Sequence, residues 1–369
     1  MCSNTFGRIF KITSFGESHG KLIGVIVDGV PAGFPINESD IQKELDRRKP
    51  GLSNLTTTRK EADEVNIISG VFNGIATGAP ICLIIENKNQ ISNDYEKIKC
   101  FLRPSHADYS ALKKYGGYAD SRGSGRFSGR ITASFVMAGA IAKQLLLNFG
   151  IKIFSYTKRI GSFEDQNDYS NQKIDLLNQI REKSEVKCLD GNLSNLMINL
   201  IKSVKSQNDS IGGVVSCIVN GIPPGIGDPI FNNLESIISK AIFAIPAVRG
   251  IEFGAGFKAA TMKGSEHNDP WIIANKEIKT SKNDSGGIIG GISIGMPVVF
   301  NVAFKPPSSI GIPQKSINFE KMEPEMLQVR GRHDPCIVPR AISVVEAMTA
   351  IVLTDFLMID GLIPQIFQK

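Results

Sequence analysis

The sequence predicts an α+β fold in which one closely packed unit contains all 369 residues. Strand-like apolar runs follow one another too closely, and too often without a helix between them, for a doubly wound parallel sheet. No internal repeat, low-complexity linker or change of composition divides residues 1–369, although chains of this length commonly form roughly two or three domains. We therefore expect a single domain in which strands and helices share one core.

Residues 22–85 are expected to alternate short strands with one helix. Residues 22–30 form a β-branched run that ends at a Gly-Val-Pro turn, which predicts a strand. Asn37 is a suitable N-cap for a helix that should end before Pro50. The polar segment 53–63 has no periodicity and predicts a mobile or functional loop. Residues 67–85 alternate strand-like runs with glycines.

Residues 131–369 are expected to contribute two long apolar helices. Residues 131–148 are apolar on most faces, which is typical of a helix buried in the middle of a fold. Residues 341–358 predict a second long helix at the end of the chain. Residues 165–205 read as a polar, amphipathic, peripheral helical insertion, 214–219 as a strand and 234–245 as a helix.

Composition excludes several classes of protein. The chain is 42% hydrophobic and 21% charged, as expected for a folded protein with a sizeable core. Its net charge of +6 favours anionic partners without indicating nucleic acid, because Lys and Arg are spread along the chain. The six cysteines form no CxxC pair, which favours reduced thiols over a disulfide framework or a metal site. Without a secretory leader or an apolar stretch long enough for a bilayer, we expect a cytoplasmic protein with no membrane partner.

Four glycine-rich, charged segments carry polar residues that a core does not explain, and three of the four histidines lie in them. Small residues let backbone N–H groups approach an anion, and arginines near a helix N-terminus add positive potential. A histidine in such a loop can act as a general acid or base. The four segments are residues 13–20, 103–109, 120–130 and 330–336.

Each segment also allows a simpler interpretation. The first could be a turn with a solvated His19, the second a surface loop that carries His106, and the third an RG-rich RNA-binding stretch. In the fourth, Asp334 could form a structural salt bridge to a neighbouring arginine. Residues 123–129 read GSGRFSG, which only approximates a GxGxxG pattern, and no hydrophobic strand precedes them, so a Rossmann site is rejected. No Ser–His–Asp or Cys–His arrangement is discernible. Together the segments indicate an enzyme that acts on a phosphorylated, polyanionic substrate with a phosphate-bearing cofactor.

Motifs along nearly the whole chain resemble those of the chorismate synthase family, in the same order. They read FGESHG, DRRKPG, RPSHADY, RFSGRIT running into AIAK, DSIGG, GGIIGG and GRHDPC. The resemblance implies 1,4-elimination of phosphate from 5-enolpyruvylshikimate 3-phosphate to give chorismate. It also implies a requirement for reduced FMN with no net redox change, a helical core sandwiched by antiparallel β-sheets, and a homotetramer.

The resemblance also implies roles for single residues. His19 matches a histidine near the leaving phosphate, His106 the proton partner of the reduced flavin, and Asp334 a carboxylate beside flavin N5. The flavin-binding positions that it implies are Arg126, Phe127, Ser128, Pro246, Ala247, Gly290, Lys305, Pro306, Pro307, Ser308, Ser309 and Arg332.

Arginines are expected to bind the anionic groups of the substrate or of NADPH. The resemblance assigns this to Arg48, with Arg59 and Arg340 as companions. It leaves open whether the chain reduces its own flavin, with NADPH as the reductant, or depends on a separate flavin reductase. The competing interpretations are a flavin oxidoreductase that consumes NADPH and a basic RNA-binding protein. The scarcity of aromatic residues in the basic segments disfavours RNA binding.

The chain departs from the family pattern at three positions. Phe127 replaces a serine of the flavin loop, Ile131 replaces a glutamate, and Asn54 stands where many bacterial members have a basic residue. Restoring serine at position 127 is therefore expected to tighten flavin binding or to leave it unchanged, since one neutral hydrogen bond contributes only about 0.5–1.5 kcal/mol.

Overall fold

The computed structural model describes residues 4–49, 51, 55, 62–88, 99–329 and 333–367. The α-helices within these ranges are α1 (Glu38–Arg48), α2 (Asp108–Tyr115), α3 (Thr132–Leu147), α4 (Ile174–Lys183), α5 (Gly191–Ser206), α6 (Leu234–Phe243), α7 (Gly264–His267) and α8 (Val338–Ile359). Short 3-10 helices lie at Arg122–Phe127, Gly129–Ile131 and Gly256–Thr261.

The strands follow the same chain order and are mostly short. They are β1 (Thr5–Phe6), β2 (Lys11–Gly16), β3 (Leu22–Asp28), β4 (Val65–Ser69), β5 (Val71–Phe72), β6 (Ile75–Ala76), β7 (Ile81–Glu86), β8 (Lys152–Ile160), β9 (Phe163–Glu164), β10 (Gly213–Asn220), β11 (Val248–Phe253), β12 (Trp271–Ala274), β13 (Glu277–Thr280), β14 (Ile288–Ile289), β15 (Ile292–Ser293), β16 (Val298–Phe304), β17 (Gln314–Asn318) and β18 (Glu323–Leu327).

Two five-stranded antiparallel sheets form the outer layers. The first has the order β1-β2-β3-β7-β4 and the second the order β11-β16-β10-β8-β9. The central pair of the first sheet runs in register from Leu22 opposite Glu86 to Val27 opposite Ile81. The remaining strands pair as the hairpins β5–β6, β12–β13, β14–β15 and β17–β18.

The two long helices fill the space between the sheets. Helix α3 packs on β2, β3 and β7 of the first sheet, helix α8 packs on β8 and β10 of the second, and the two helices pack on each other. They approach closely at Gly139, where an added Cβ would lie 2.3 Å from the Cβ of Ala347. One cluster of buried apolar residues draws on both helices and both sheets. The predicted α+β fold, with helices sandwiched by antiparallel sheets, is confirmed.

Both long helices are apolar enough to raise the question of a membrane. Within the described residues, Gly129–Leu147 and Val338–Ile359 satisfy the length and hydropathy expected of a membrane-spanning helix, so the expectation that no apolar stretch is long enough for a bilayer is wrong. However, 78% and 89% of their apolar windows are buried inside the protein. That burial is what a helix at the centre of a two-sheet sandwich requires.

Most predicted elements are present with shifted ends. Asn37 caps α1 by accepting a hydrogen bond from the backbone N–H of Ser39 at 3.1 Å. Residues 165–205 resolve into two helices, α4 and α5, and the last helix begins at Val338, where a proline in the first turn suits the helix start. The predicted loop 53–63 lies outside the described residues except for Leu55 and the last two positions.

A buried carboxylate ties the helices together. Glu346 on α8 accepts hydrogen bonds from Arg47 at 2.7 Å, Arg181 at 2.8 Å, Lys143 at 2.9 Å and the backbone N–H of Ser155 at 3.0 Å. Burial alone would raise the pKa of Glu346, but the three cations hold it well below its usual range. The ion cluster thus connects α1, α3, α4 and β8 to the central helix.

Candidate active site

A cavity of about 1110 Å³ opens beside the end of β2. Its wall combines apolar residues with a few charged ones, as small-molecule sites commonly do. Arg126, Phe127 and Pro246, three of the predicted flavin-binding residues, line it, together with Phe15 and Tyr115. The cavity therefore brings together segments that are far apart in sequence.

Arg126 lies along the edge of β2. Its guanidinium donates to the carbonyl oxygens of Gly16 at 3.0 Å and Ser14 at 3.1 Å, and to Asn4 Oδ1 at 3.0 Å. Burial lowers the pKa of Arg126. The side chain thus joins the predicted flavin loop to the first glycine-rich segment, residues 13–20, and places a cation at the cavity wall.

Phe127 forms part of an aromatic wall. Its side chain is 42% exposed, and its ring centroid lies 6.4 Å from that of Tyr115, with a tilt of 57° between the rings. The neighbouring Ser128 turns back to cap the next 3-10 helix, because its Oγ accepts from the backbone N–H of Arg130 at 3.3 Å. Phe127 therefore presents apolar surface to the cavity, at the position where the resemblance implies a serine hydroxyl.

His19 is buried, with only 4% of its surface exposed, so the interpretation as a solvated turn histidine is wrong. It packs against the backbone of Gly123, whose φ is +57°, and a Cβ on that glycine would lie 2.0 Å from His19 Nδ1. The backbone N–H of Ser18 also donates to Gly125 O at 3.4 Å. Only glycine at position 123 allows this approach.

His106 lies where the second segment meets the turn at 305–309. Its Nδ1 is 3.1 Å from Pro104 O, and its Nε2 is 2.9 Å from Ser309 Oγ. Burial, followed by the nearby Arg103, lowers the pKa of His106. Lys305 Nζ donates to Ser105 O at 2.7 Å, which holds the two segments together.

Arg103 links this loop to the glycine-rich segment. Its guanidinium binds both carboxylate oxygens of Asp108, at 2.6 and 2.8 Å, and donates to Ser124 Oγ at 3.0 Å. Because Ser124 follows Gly123, which contacts His19, the loops of both histidines meet at the same segment.

Asp334 forms an ion pair. Its Oδ2 lies 2.5 Å from Arg340 Nη1, and Arg340 Nε donates to the backbone carbonyl of Arg48 at 3.1 Å. The neighbouring His333 is 3.2 Å from Val329 O through Nε2, and burial lowers its pKa. The geometry is thus also that of the alternative role, in which Asp334 forms a structural salt bridge with Arg340.

Arg48 is buried rather than open to solvent. Its Nη1 lies 3.2 Å from Asp63 Oδ2, its Nη2 donates to Gly129 O at 2.9 Å, and its Nε donates to Thr132 Oγ1 at 3.1 Å. Asp63 was not singled out from the sequence, because nothing about an aspartate at the end of a polar segment indicates two arginine partners.

Some predicted residues are not brought to the cavity. Gly290 lies in the β14–β15 turn, next to Gly291, whose carbonyl accepts from the first residue of α6. Pro246 and Ala247 lie beyond the other end of α6. The ten residues of that helix span about 15 Å, which separates these two residues from Gly290. Ala247 instead contacts the 305–309 turn, since Lys305 N donates to Ala247 O at 2.9 Å.

Three positions of interest fall outside the described residues: Arg59, Arg332 and Asn54. Within the described parts of the chain, no group of three or more His, Cys, Asp or Glu side chains is arranged to hold a metal ion.

Comparison with known proteins gives a consistent result. A family model described as "Chorismate synthase" matches residues 10–358. A chorismate synthase of Dehalococcoides mccartyi is 50% identical over 370 residues, covering 100% of both chains, and one of Korarchaeum cryptofilum is 47% identical, covering 97% of this chain and 98% of the relative. A crystal structure of a chorismate synthase superposes with a TM-score of 0.75 at 31% identity, covering 96% of this chain and 93% of that one.

Proposed function

The chain belongs to the chorismate synthase family, and from that membership we propose how its own residues carry out the family's reaction. The chain is an enzyme, a lyase that converts 5-enolpyruvylshikimate 3-phosphate into chorismate by 1,4-elimination of phosphate. One observation carries the proposal for the site. The loops of His19 and His106 both contact the glycine-rich segment 120–130, which lines the cavity.

Reduced FMN is the proposed occupant of the cavity. The residues present suit it: Phe127 and Tyr115 offer ring surface to a planar aromatic system, and Arg126 offers a cation. Next to His106, the 305–309 turn carries an ammonium and hydroxyls suited to a phosphate, with Lys305 Nζ 2.7 Å from Ser308 Oγ. When bound, reduced flavin supplies electron density and transient proton exchange, with no net redox change.

The buried His19 and the half-buried His106 are the proposed proton-handling residues. We assign His19 to the leaving phosphate and His106 to proton exchange with the reduced flavin. Because burial and Arg103 lower the pKa of His106, its imidazole is neutral near pH 7. A neutral imidazole whose Nε2 lies beside Ser309 Oγ can take up one proton and release it later.

Asp334 would serve as a proton acceptor for the reduced flavin, and Arg340 fixes the orientation of its carboxylate. Arg48, Arg59 and Arg340 are the proposed partners of the substrate's anionic groups or of NADPH. For Arg59, and for Arg332 as a flavin-binding residue, the resemblance alone supports the proposal. The remaining flavin-binding proposals are Ser128, Pro246, Ala247, Gly290, Pro306, Pro307 and Ser309.

We also propose that the chain forms one domain and assembles as a homotetramer in the cytoplasm. The single apolar cluster shared by both sheets supports the first point. Exposed apolar residues support self-association: in the β12–β13 hairpin, Trp271 is 57%, Ile273 83% and Ile278 73% exposed. Patches of this kind commonly mark interfaces between protein chains. A separate flavin reductase or NADPH oxidation by the chain itself would supply the reduced flavin.

The proposal is tested by anaerobic conversion of 5-enolpyruvylshikimate 3-phosphate with photoreduced FMN, with chorismate measured by chromatography. We expect chorismate with reduced FMN and none with oxidised FMN under the same conditions. Formation of chorismate at the same rate with oxidised FMN alone would refute the flavin proposal, and no chorismate under any flavin condition would refute the assignment of activity.

A further inference from the structure

Asp63 carries a buried carboxylate that is shared by two buried arginines. Its side chain is 0% exposed, with Oδ1 2.8 Å from Arg130 Nη1 and Oδ2 3.2 Å from Arg48 Nη1. The exposed fractions of the two arginine side chains are 6% and 5%. Each oxygen of one carboxylate thus orients a different guanidinium in a region of low dielectric, where such contacts are strong.

The backbone at Asp63 is also held in place. Its φ is +49°, a left-handed conformation that is uncommon for a residue other than glycine. Gln42 fixes this turn from α1, because its Nε2 donates to Asp63 O at 3.1 Å and its Oε1 accepts from the backbone N–H of Val65 at 3.0 Å. A sparsely populated conformation that the surroundings maintain is a reason to look for a functional role.

One route of hydrogen bonds leads from the first arginine to the loop of His19. Arg130 Nε donates to Asn87 Oδ1 at 2.7 Å. The amide nitrogen of Asn87 donates in turn to the carbonyls of Glu17 at 3.0 Å and Gly20 at 2.9 Å. These two carbonyls lie on either side of His19, so the route fixes both ends of its loop.

A second route leads from the other arginine to Asp334. Arg48 also donates to Gly129 O and Thr132 Oγ1, which anchors it at the start of α3. Its backbone carbonyl accepts from Arg340 Nε at 3.1 Å, and Arg340 holds Asp334 at 2.5 Å. Each link in this route is a direct contact between side chains or with the backbone.

We propose that Asp63 is a positioning residue for the elimination, which sets the His19 loop and the Asp334–Arg340 pair relative to one another through Arg130 and Arg48. The inference rests on the proposed roles of His19 and Asp334. Asp63 does not touch the reacting atoms in this account. It acts by fixing the two arginines from which both routes begin.

Asp63→Asn is the direct test, because it keeps the size of the side chain and removes half of its acceptor capacity. The amide NH₂ would face a guanidinium, donor against donor, so one route must break. We expect kcat at saturating substrate and flavin to fall about 100-fold, the loss that a displacement of about 1 Å can cause. The matched control is Asp355→Asn, which removes a buried carboxylate that binds the backbone N–H groups of Arg8, Ile9 and Phe10 instead.

A second measurement needs no turnover. The exchange rate of the imidazole C2 hydrogen, followed by mass spectrometry, reports the surroundings of each histidine separately. In Asp63→Asn we expect a shifted rate for His19 and an unchanged rate for His267, which lies in α7. In Asp355→Asn both rates should stay at their wild-type values.

A purely structural role gives a different result. Asp63→Asn would then lower the free energy of unfolding but leave both kcat per folded molecule and the His19 exchange rate unchanged, and that outcome overturns the proposal.

If Asp63→Asn does not fold, Asn87→Ala decides, since it cuts the route to His19 without uncovering a buried charge. A wild-type rate for His19 in that variant also overturns the proposal. If the wild-type chain forms no chorismate, the proposed function fails, but the exchange rates still report whether Asp63 positions His19.

Discussion

Replacing Asp334 with asparagine separates a catalytic carboxylate from a structural one. Asp334→Asn keeps the shape of the side chain and its ability to accept a hydrogen bond from Arg340, but removes the negative charge and the basicity. The structure gives both roles a physical basis, because the carboxylate lies 2.5 Å from Arg340 and follows the half-buried His333 in the chain.

The two roles predict losses of free energy of different size. The exposed fractions of the Asp334 and Arg340 side chains are 18% and 17%, so loss of the charge should lower the free energy of unfolding by about 1–2 kcal/mol. Loss of a positioned general base lowers turnover by about 10²–10⁴-fold. At 1.36 kcal/mol per factor of ten, that is about 3–5 kcal/mol of activation free energy. The catalytic effect should therefore exceed the structural one clearly.

The assay compares single-turnover rates with chemical denaturation and with FMN and substrate affinities. We expect Asp334→Asn to bind both ligands nearly normally, to unfold slightly earlier and to turn over at least about 100-fold more slowly. Arg340→Met breaks the same ion pair and should lower the free energy of unfolding by a similar amount; because Arg340 is also a proposed substrate partner, only the stability of this variant serves as the control. If turnover per folded molecule is retained in Asp334→Asn while stability and binding fall together, Asp334 has no part in the chemistry.

Three further predictions follow from the same geometry. His106→Gln should lower turnover about 10²–10⁴-fold. It should also remove the limb of the pH–rate profile that lies below the ordinary histidine pKa of 6.5. If that limb is retained, His106 is not the titrating group. Phe127→Ser should weaken FMN binding about tenfold in fluorescence titrations, whereas Phe127→Tyr should not, because ring stacking outweighs one hydroxyl. Tighter binding by the serine variant would contradict the claim that the Phe127 ring packs on the flavin. Glu346→Gln should lower the free energy of unfolding near pH 7 by about 3–5 kcal/mol. Because the folded pKa of Glu346 is depressed, this difference is present above about pH 4.5 and should shrink as the pH falls; a difference that does not change with pH would refute the charge argument.

The fold was largely predictable from local patterns. Three local patterns each predicted an element that is present: the N-cap Asn37, the β-branched run 22–30 and the apolar segment 131–148. In each case the packing of the folded chain favours the same element as the local sequence. The pairing of strands could not be predicted in this way, since β10 joins β16 and β8 across more than fifty residues of chain. Such non-local contacts leave no mark in a local window of sequence.

The site was predictable in its residue types but not in its contacts. Glycines near charged residues pointed to the 120–130 segment, and the structure explains Gly123 by the imidazole of His19. Nothing in the sequence indicated that Arg48 would be buried against Asp63, or that Glu346 would pair with three cations. Pairing between charges depends on the tertiary fold, which residue spacing does not determine.

The hydroxyl predicted to matter at position 127 illustrates the same limit. Comparison with the family pattern suggested a lost donor, whereas the structure places the Phe127 ring beside Tyr115 in the cavity wall. The expectation for Phe127→Ser changes sign as a result, because removing ring surface from the cavity outweighs the one hydrogen bond gained.

The most direct measurement of the central claim is the stoichiometry of the reaction. Under anaerobic conditions, a limiting amount of photoreduced FMN is mixed with the chain and excess 5-enolpyruvylshikimate 3-phosphate, and chorismate and the flavin spectrum are followed together. The account predicts many molecules of chorismate per flavin, with the flavin still reduced at the end. One molecule of chorismate per reduced flavin, with the flavin oxidised in proportion, would contradict it and indicate an oxidoreductase.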